Sequence, residues 1–131
     1  MSVEVHLVTP EREVWTGTAD MVVAAGVDGR VGILGGHAPL LIQLAIAPLK
    51  LQQADGTWLY AVVDGGFMHV STEAGATRVD ILASYAELAT EIDAAAARLR
   101  MEEAEQRIRA GDDASARAEL AKSAARIELA G

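Results

Sequence analysis

Through the first two thirds of the chain, apolar and polar residues alternate at period two, the pattern of strands with one buried face. Val3, Val5 and Leu7 share one face, and Glu4 and His6 share the other. Val79, Ile81 and Ala83 likewise oppose Arg78 and Asp80. Similar runs occupy 13–16, 21–25, 40–51, 57–63 and 67–72. Turn signals separate them: Thr9-Pro10, Val27-Asp28-Gly29, Ala54-Asp55-Gly56, Asp64-Gly65-Gly66 and Ala74-Gly75. Many short strands punctuated in this way predict an antiparallel sandwich or barrel.

Near residue 84 the pattern changes to helix. Sixteen of the 26 alanines fall in the last 49 residues, where there is no proline. Two capping boxes compete for the start, Ser84-Tyr-Ala-Glu87 and Thr90-Glu-Ile-Asp93; the first would close a single turn and the second open the long helix. Leu88, Ile92, Ala95 and Leu99 form an apolar stripe, and Ala114, Ala118, Ala121 and Ala125 repeat the spacing. Glu103–Arg107 and Glu105–Arg109 are favourable i,i+4 pairs. Ala110-Gly111-Asp112-Asp113 breaks the pattern: glycine ends one helix and either aspartate caps the next. The expectation is an αα-hairpin over 91–110 and 113–129. The domains expected are a sandwich over 1–84, a linker over 85–90 and a two-helix hairpin over 91–131. The hairpin's stripe is thin and mostly alanine, so packing holds it weakly; this fits a helical tail that packs on the sandwich and stays there, or a part that moves.

Composition narrows the function. With 131 residues and 51% hydrophobic content the chain can bury a core, and with 4% aromatics that core must be aliphatic. The absence of cysteine excludes disulfides, thiolate metal sites and cysteine catalysis. A net charge of −8 argues against nucleic-acid binding. The opening residues enter a strand pattern at once, with no basic segment or apolar signal core, so no targeting peptide is expected. The apolar run around Leu44–Leu49 is too short to cross a bilayer, so no direct membrane insertion is expected.

Five of the twelve glycines lie between Gly26 and Gly36. This is neither a phosphate loop nor a dinucleotide fingerprint, since neither spacing occurs. The preferred reading is a hairpin with bulges, followed by a turn at Gly36-His37-Ala38-Pro39. His37 has no nucleophile or orienting acid at a recognisable spacing, and His6, His37 and His69 lack ligand spacing, so no catalytic residue and no metal site are expected. The acidic pairs Asp112-Asp113 and Glu102-Glu103 read as caps and solvated helix faces.

The ordered blocks Val8-Thr9-Pro10-Glu11-Arg12, Gly29-Arg-Val-Gly-Ile-Leu-Gly-Gly-His-Ala-Pro-Leu-Leu41, Val63-Asp-Gly-Gly-Phe67 and Val79-Asp-Ile-Leu-Ala83, then Ala86-Glu87 and Glu91-Ile-Asp93, resemble the epsilon subunit of bacterial F-type ATP synthase. The resemblance runs over nearly the whole chain. It implies an α+β fold, an N-terminal antiparallel β-sandwich of about ten strands with a C-terminal α-helical hairpin. It implies a noncatalytic rotor-stalk subunit that helps couple ring rotation to ATP synthesis, peripheral on the cytoplasmic face of the bacterial cell membrane. The implied partners are the gamma subunit and the c-subunit ring, contacted through Gly36, His37, Ala38 and Pro39. When the hairpin extends, the partner is the catalytic alpha/beta head, with Arg117, Lys122 and Arg126 as inhibitory contacts.

Three departures from the family pattern stand out. Gly35 replaces a proline before the Gly-His pair, which loosens the turn. Ala47-Pro48 replaces a glycine region, and proline there suggests an edge position or a bulge. The family's nucleotide motif, Ile/Leu-Asp-x-x-Arg-Ala, reads Ile92-Asp-Ala-Ala-Ala-Ala97, with Ala96 in the arginine position. Ile92, Asp93, Lys122 and Arg126 remain as the implied ATP contacts, and loss of the arginine implies weak or absent ATP binding and no cofactor. The competing reading is a free-standing β-sandwich protein-binding module with a helical tail.

Overall fold

The computed structural model describes residues 2–111 and 113–130. Its ten strands are β1 Val3–Val8, β2 Glu13–Ala19, β3 Met21–Gly26, β4 Gly29–Leu34, β5 Leu40–Gln43, β6 Ala47–Gln52, β7 Trp58–Asp64, β8 Phe67–Glu73, β9 Ala76–Leu82 and β10 Tyr85–Leu88. A 3-10 turn, Ala89–Glu91, leads to helices α1 Ala94–Ala110 and α2 Ala114–Ala130. Two five-stranded sheets form the sandwich, one ordered β2-β1-β9-β8-β5 and the other β10-β7-β6-β3-β4. All pairings are antiparallel except β1 with β9.

The period-two pattern accounts for the core. Val3, Val5, Leu7, Val70, Val79 and Ile81 point inward from the first sheet, and Val22, Ile33, Leu49, Leu51, Ala61 and Val63 from the second. The largest fully buried side chains are leucine, isoleucine, methionine and valine, so the layer is aliphatic as the composition requires. The run 40–51 is divided, because the chain leaves β5 in one sheet and enters β6 in the other. The amide of buried Leu44, at that crossing, donates to Gly66 O at 2.8 Å. Pro48 sits in β6 before the ladder to β3 begins at Lys50, so it behaves locally as an edge residue.

Four expectations are corrected. The glycine stretch forms the β3–β4 hairpin in regular register from Met21↔Leu34 to Gly26↔Gly29, without bulges; the register shift lies instead at Leu7/Val8 between β1 and β2. The segment expected as a linker contains β10, because Ser84-Tyr-Ala-Glu87 keeps strand alternation. Ala86 is buried against the core while Tyr85 and Glu87 face outward, so no capping turn forms there. The long helix starts after Asp93, whose carboxylate accepts from Ala96 N at 3.0 Å, and Thr90 does not cap it. Of the expected stripes only Ala125 is buried. Leu88 and Ile92 precede α1, Ala95, Leu99, Ala114 and Ala121 are exposed, and the buried positions are Ala97 and Ala104 on α1 and Ala116, Ser123, Ala125 and Arg126 on α2. The spacing Ala97–Ala104 and Ala116–Ser123 is a heptad step of small residues, which lets two antiparallel helices approach closely.

At the second break, Asp113 caps α2 by accepting from Ala116 N at 3.2 Å; Asp112 lies outside the described residues. Arg107 pairs with Asp113 at 2.6 Å across the inter-helix turn. No helix among the described residues is long and apolar enough to cross a membrane.

Gly65 and Gly66, with φ +64° and +96°, turn β7 into β8. A Cβ on Gly66 would lie 2.0 Å from Leu82 O and 2.8 Å from Ala83 Cα, a clash with backbone that no rotamer relieves. Gly32, in contrast, has an ordinary φ, and a Cβ there meets nothing within 4 Å. Gly66→Ala is therefore expected to cost more than about 3 kcal/mol, and Gly32→Ala less than about 1 kcal/mol, in urea unfolding. Equal midpoints for the two variants would contradict the assigned close approach.

Candidate functional site

Two surfaces gather the residues singled out by sequence. The first is the turn between β4 and β5. Gly36, at φ +87°, donates its amide to Thr77 Oγ1 at 2.7 Å, tying the turn to β9. Thr77 is buried, and its hydroxyl is the anchor the sequence did not reveal. His37 N donates to Leu34 O at 3.1 Å and its Nδ1 lies 2.7 Å from Ala38 O, so the ring belongs to the turn's own hydrogen bonding. Gly36, Ala38 and Pro39 are exposed. Leu34 and Leu41, on either side of the turn, are also exposed, Leu41 at 65%. On the outer face of the same sheet, Phe67 and Leu82 are exposed register partners, one diagonal step from Leu41, whose own partner is His69. Exposed apolar area of this extent marks a contact surface.

The second surface lies where α2 rests on β6 and β7. Lys122 Nζ donates to Asp64 Oδ2 at 3.2 Å and lies 3.8 Å from Glu119 Oε2. Arg126 is 5% exposed; its Nε donates to Glu87 Oε1, and its Nη1 lies 3.5 Å from Glu119 Oε1. The Tyr85 ring lies 4.9 Å from Lys122 Nζ and 5.7 Å from Arg126 Cζ, close enough for cation–π attraction. Tyr85 OH donates to Glu87 Oε2 at 3.0 Å, and Ser123 Oγ donates to Glu119 Oε1 at 3.2 Å. Burial, then the Glu87 carboxylate, push the Tyr85 phenol up. For Arg126 burial opposes the charge, but the hydrogen bond and field of Glu87 outweigh it and hold the guanidinium charged.

A third contact fixes the base of the hairpin. Arg12, in the β1–β2 loop, donates to both oxygens of Glu91 at 3.0 and 2.9 Å, while Glu91 Oε1 accepts from Leu88 N at 2.8 Å. This two-pronged contact pins the 3-10 turn to the sandwich; Ile92 N then donates to Ala89 O at 3.2 Å, and Asp93 O accepts from Ala97 N at 3.0 Å as α1 begins.

The implied ATP contacts are divided between these places. Ile92 is half-buried in the hinge, Asp93 caps α1, and Lys122 and Arg126 are engaged by carboxylates on the sandwich and α2. The cleft between the helices, about 280 Å³, is lined by Arg100, Glu103, Ala104, Arg107, Ser115 and Glu119, none of them in that set. Arg117 is exposed near the start of α2. The sequence reading missed Asp64, Tyr85, Glu87 and Glu119. Two signals for them existed: Tyr85 and Glu87 share a strand face, and Glu119, Lys122, Ser123 and Arg126 share a helix face.

Residues 2–89 match the family model for the ATP synthase delta/epsilon chain β-sandwich domain. The chain belongs to the ATP synthase epsilon-chain family. It is 44% identical over 128 residues to the epsilon chain of Thermobifida fusca, covering 96% of this chain and 90% of that one. It is 40% identical over 126 residues to the epsilon chain of Corynebacterium diphtheriae, covering 95% and 94%. The fold is similar to a chain in the OSCP/F1/c-ring structure of Euglena gracilis mitochondrial ATP synthase, with TM-score 0.76, 24% identity, and 93% and 76% of the two chains covered. The resemblance drawn from the glycine-rich and Asp-Gly-Gly blocks is thereby established, and so is the α+β architecture.

Glu91 and Asp113 both titrate below the usual carboxylate range. The first is lowered by Arg12 and then by Leu88 N, the second by Arg107 and then by Ala116 N. A carboxylate whose folded-state pKa is depressed contributes stability above its unfolded pKa and loses it as pH falls through the folded value. Acidification from about pH 5 to below about pH 3 should therefore loosen the hinge and the inter-helix turn before the sandwich. Amide NMR checks this at Leu88 and Ala116; hydrogen bonds at both that stay intact throughout would contradict it.

Proposed function

We propose that this epsilon-family chain serves as a noncatalytic central-stalk subunit of a bacterial ATP synthase, peripheral on the cytoplasmic face of the membrane. Its sandwich seats on the gamma subunit and the c-subunit ring through the turn Gly36, His37, Ala38 and Pro39. The observation that carries this reading is the exposed pair Leu34 and Leu41, which flank that turn, with the exposed partners Phe67 and Leu82 farther along the sheet that holds Leu41. Two aspartates placed on this face, in Leu41→Asp/Phe67→Asp, put charge on a contact that needs apolar burial. Co-purification with gamma is expected to fall at least about tenfold while the thermal midpoint shifts only slightly. Undiminished co-purification would remove this face from the interface, and no association of the unsubstituted chain with gamma would favour the free-standing binding module.

The hairpin supplies the regulatory part of the proposal. In the compact arrangement Lys122 and Arg126 are occupied by carboxylates; in an extended arrangement they and Arg117 would meet acidic surface on the catalytic alpha/beta head. ATP binding by the hairpin is weak, because Ala96 provides no cation and Asp93 is engaged as a helix cap. Removal of residues 91–131 should leave assembly intact and raise ATP hydrolysis by the complex. Unchanged hydrolysis would mean that the hairpin does not inhibit, and micromolar binding of Mg-ATP to the isolated chain would overturn the weak site.

A further inference from the structure

The apolar residues that the hairpin buries fully are small, with Leu120, Ile127 and Leu129 only half-buried beside them. Ala97, Ala104, Ala116, Ser123 and Ala125 are all small, and a methyl group removes little area from water. Such a surface does not by itself set where along the sandwich the helix should rest. The charged contacts do. Glu119, Lys122, Ser123 and Arg126 lie on one side of α2. Opposite them, Asp64 ends β7 and is the register partner of Tyr85 on β10, two residues from Glu87. Two helix cations therefore meet two sheet carboxylates, with the Tyr85 ring against both cations. A shift of α2 by one turn, about 5.4 Å, would break both pairs and leave the guanidinium of Arg126 buried without its carboxylate.

Two residues beyond Arg126, at the C-terminal end of α2, the charge reverses. Glu128 stands in the last turn, the end of a helix dipole that disfavours an acid. It lines a small cavity together with Arg30 of β4 and Lys50 of β6. The sheet is thus acidic beneath Lys122 and Arg126 and basic near Glu128, and the helix carries the reciprocal order.

From this arrangement we infer that Asp64 and Glu87 form a latch that fixes the register of the compact hairpin and withholds Lys122 and Arg126 from the catalytic head. The inference rests on the inhibitory reading above for its consequence in the complex, but not for the latch itself. The same two side chains cannot contact both surfaces at once. Substitutions on the two halves of the latch therefore have opposite effects on hydrolysis. Asp64→Asn/Glu87→Gln frees the hairpin with its cations intact and deepens inhibition. Lys122→Gln/Arg126→Gln frees it without them and relieves inhibition.

The full chain tests the latch directly. It has no cysteine, so Ala54→Cys and Ala124→Cys give two exposed label positions, one on the sandwich and one on α2. Spin-label distances in the otherwise unsubstituted chain are expected to form one short population. In Asp64→Asn/Glu87→Gln the long-distance fraction should rise at least about tenfold. A salt series on the labelled chain with the latch intact requires no latch variant to fold. Raising ionic strength from about 0.01 M to about 1 M shortens the screening length from about 30 Å to about 3 Å and should likewise enlarge the long fraction. Distances unmoved by both the substitutions and salt would overturn the latch. In the assembled enzyme the carboxylate variant should hydrolyse ATP more slowly than the unsubstituted complex, with the difference erased by removing residues 91–131. Hydrolysis insensitive to that removal would count against the inhibitory reading, and the distances would still decide the latch.

Discussion

A cation held almost out of water organises the relation between the two parts of this molecule. Arg126 is desolvated where α2 meets the sheet, and a guanidinium in such a place requires charge close by on more than one side. Glu87 comes from the last strand and Glu119 from one side of the helix itself. The Glu87 contact, together with that of Lys122 to Asp64, fixes the helix on the sheet in rotation and in translation. Alanine then becomes a suitable residue for the rest of the hairpin, since nothing bulky is needed to set its position. The helices can lie close together and present a shallow surface to the sandwich.

The sandwich was legible in the sequence because its physics is local. Strands with one face in the core alternate, as Val3–Val8 and Ala76–Leu82 do, while β7, with α2 resting on it, buries Ala61, Val62 and Val63 in a row. Glycine pairs such as Gly65-Gly66 mark backbone that side chains cannot occupy. The hairpin was legible in composition but not in orientation. An apolar stripe identifies a buried face when apolar residues are the buried ones; here Ser123 and Arg126 are buried while Leu99 is exposed. The strand Tyr85–Leu88 was hidden by a short helix-cap motif; the inward Ala86, the outward Tyr85 and Glu87 and the ladder to β7 distinguish the two readings.

The candidate site divides in the same way. The turn at Gly36–Pro39 was visible from its glycines and proline, but its anchor, Thr77, lies 41 residues further along the chain and has no local signature. Lys122 and Arg126 were visible as the cations of the last helix. Glu119 is their neighbour on the same helix, but Asp64 and Glu87 come from two distant strands, and those contacts arise only when the chain is folded. The family blocks supplied what spacing did not: the association of this sandwich with a rotary enzyme.

The crowded corner at Gly66 has a mechanical consequence. Asp64, which holds Lys122, sits two residues before it, where backbone presses on Leu82 and Ala83 and the Leu44 amide closes the crossing between the sheets. A pull on α2 is thus delivered to a closely packed corner of the sandwich. The corner cannot yield to absorb the load, so the strain concentrates in the charge contact itself. Detachment under torque from a turning stalk would then be abrupt, a clasp snapping open rather than a hinge bending by degrees.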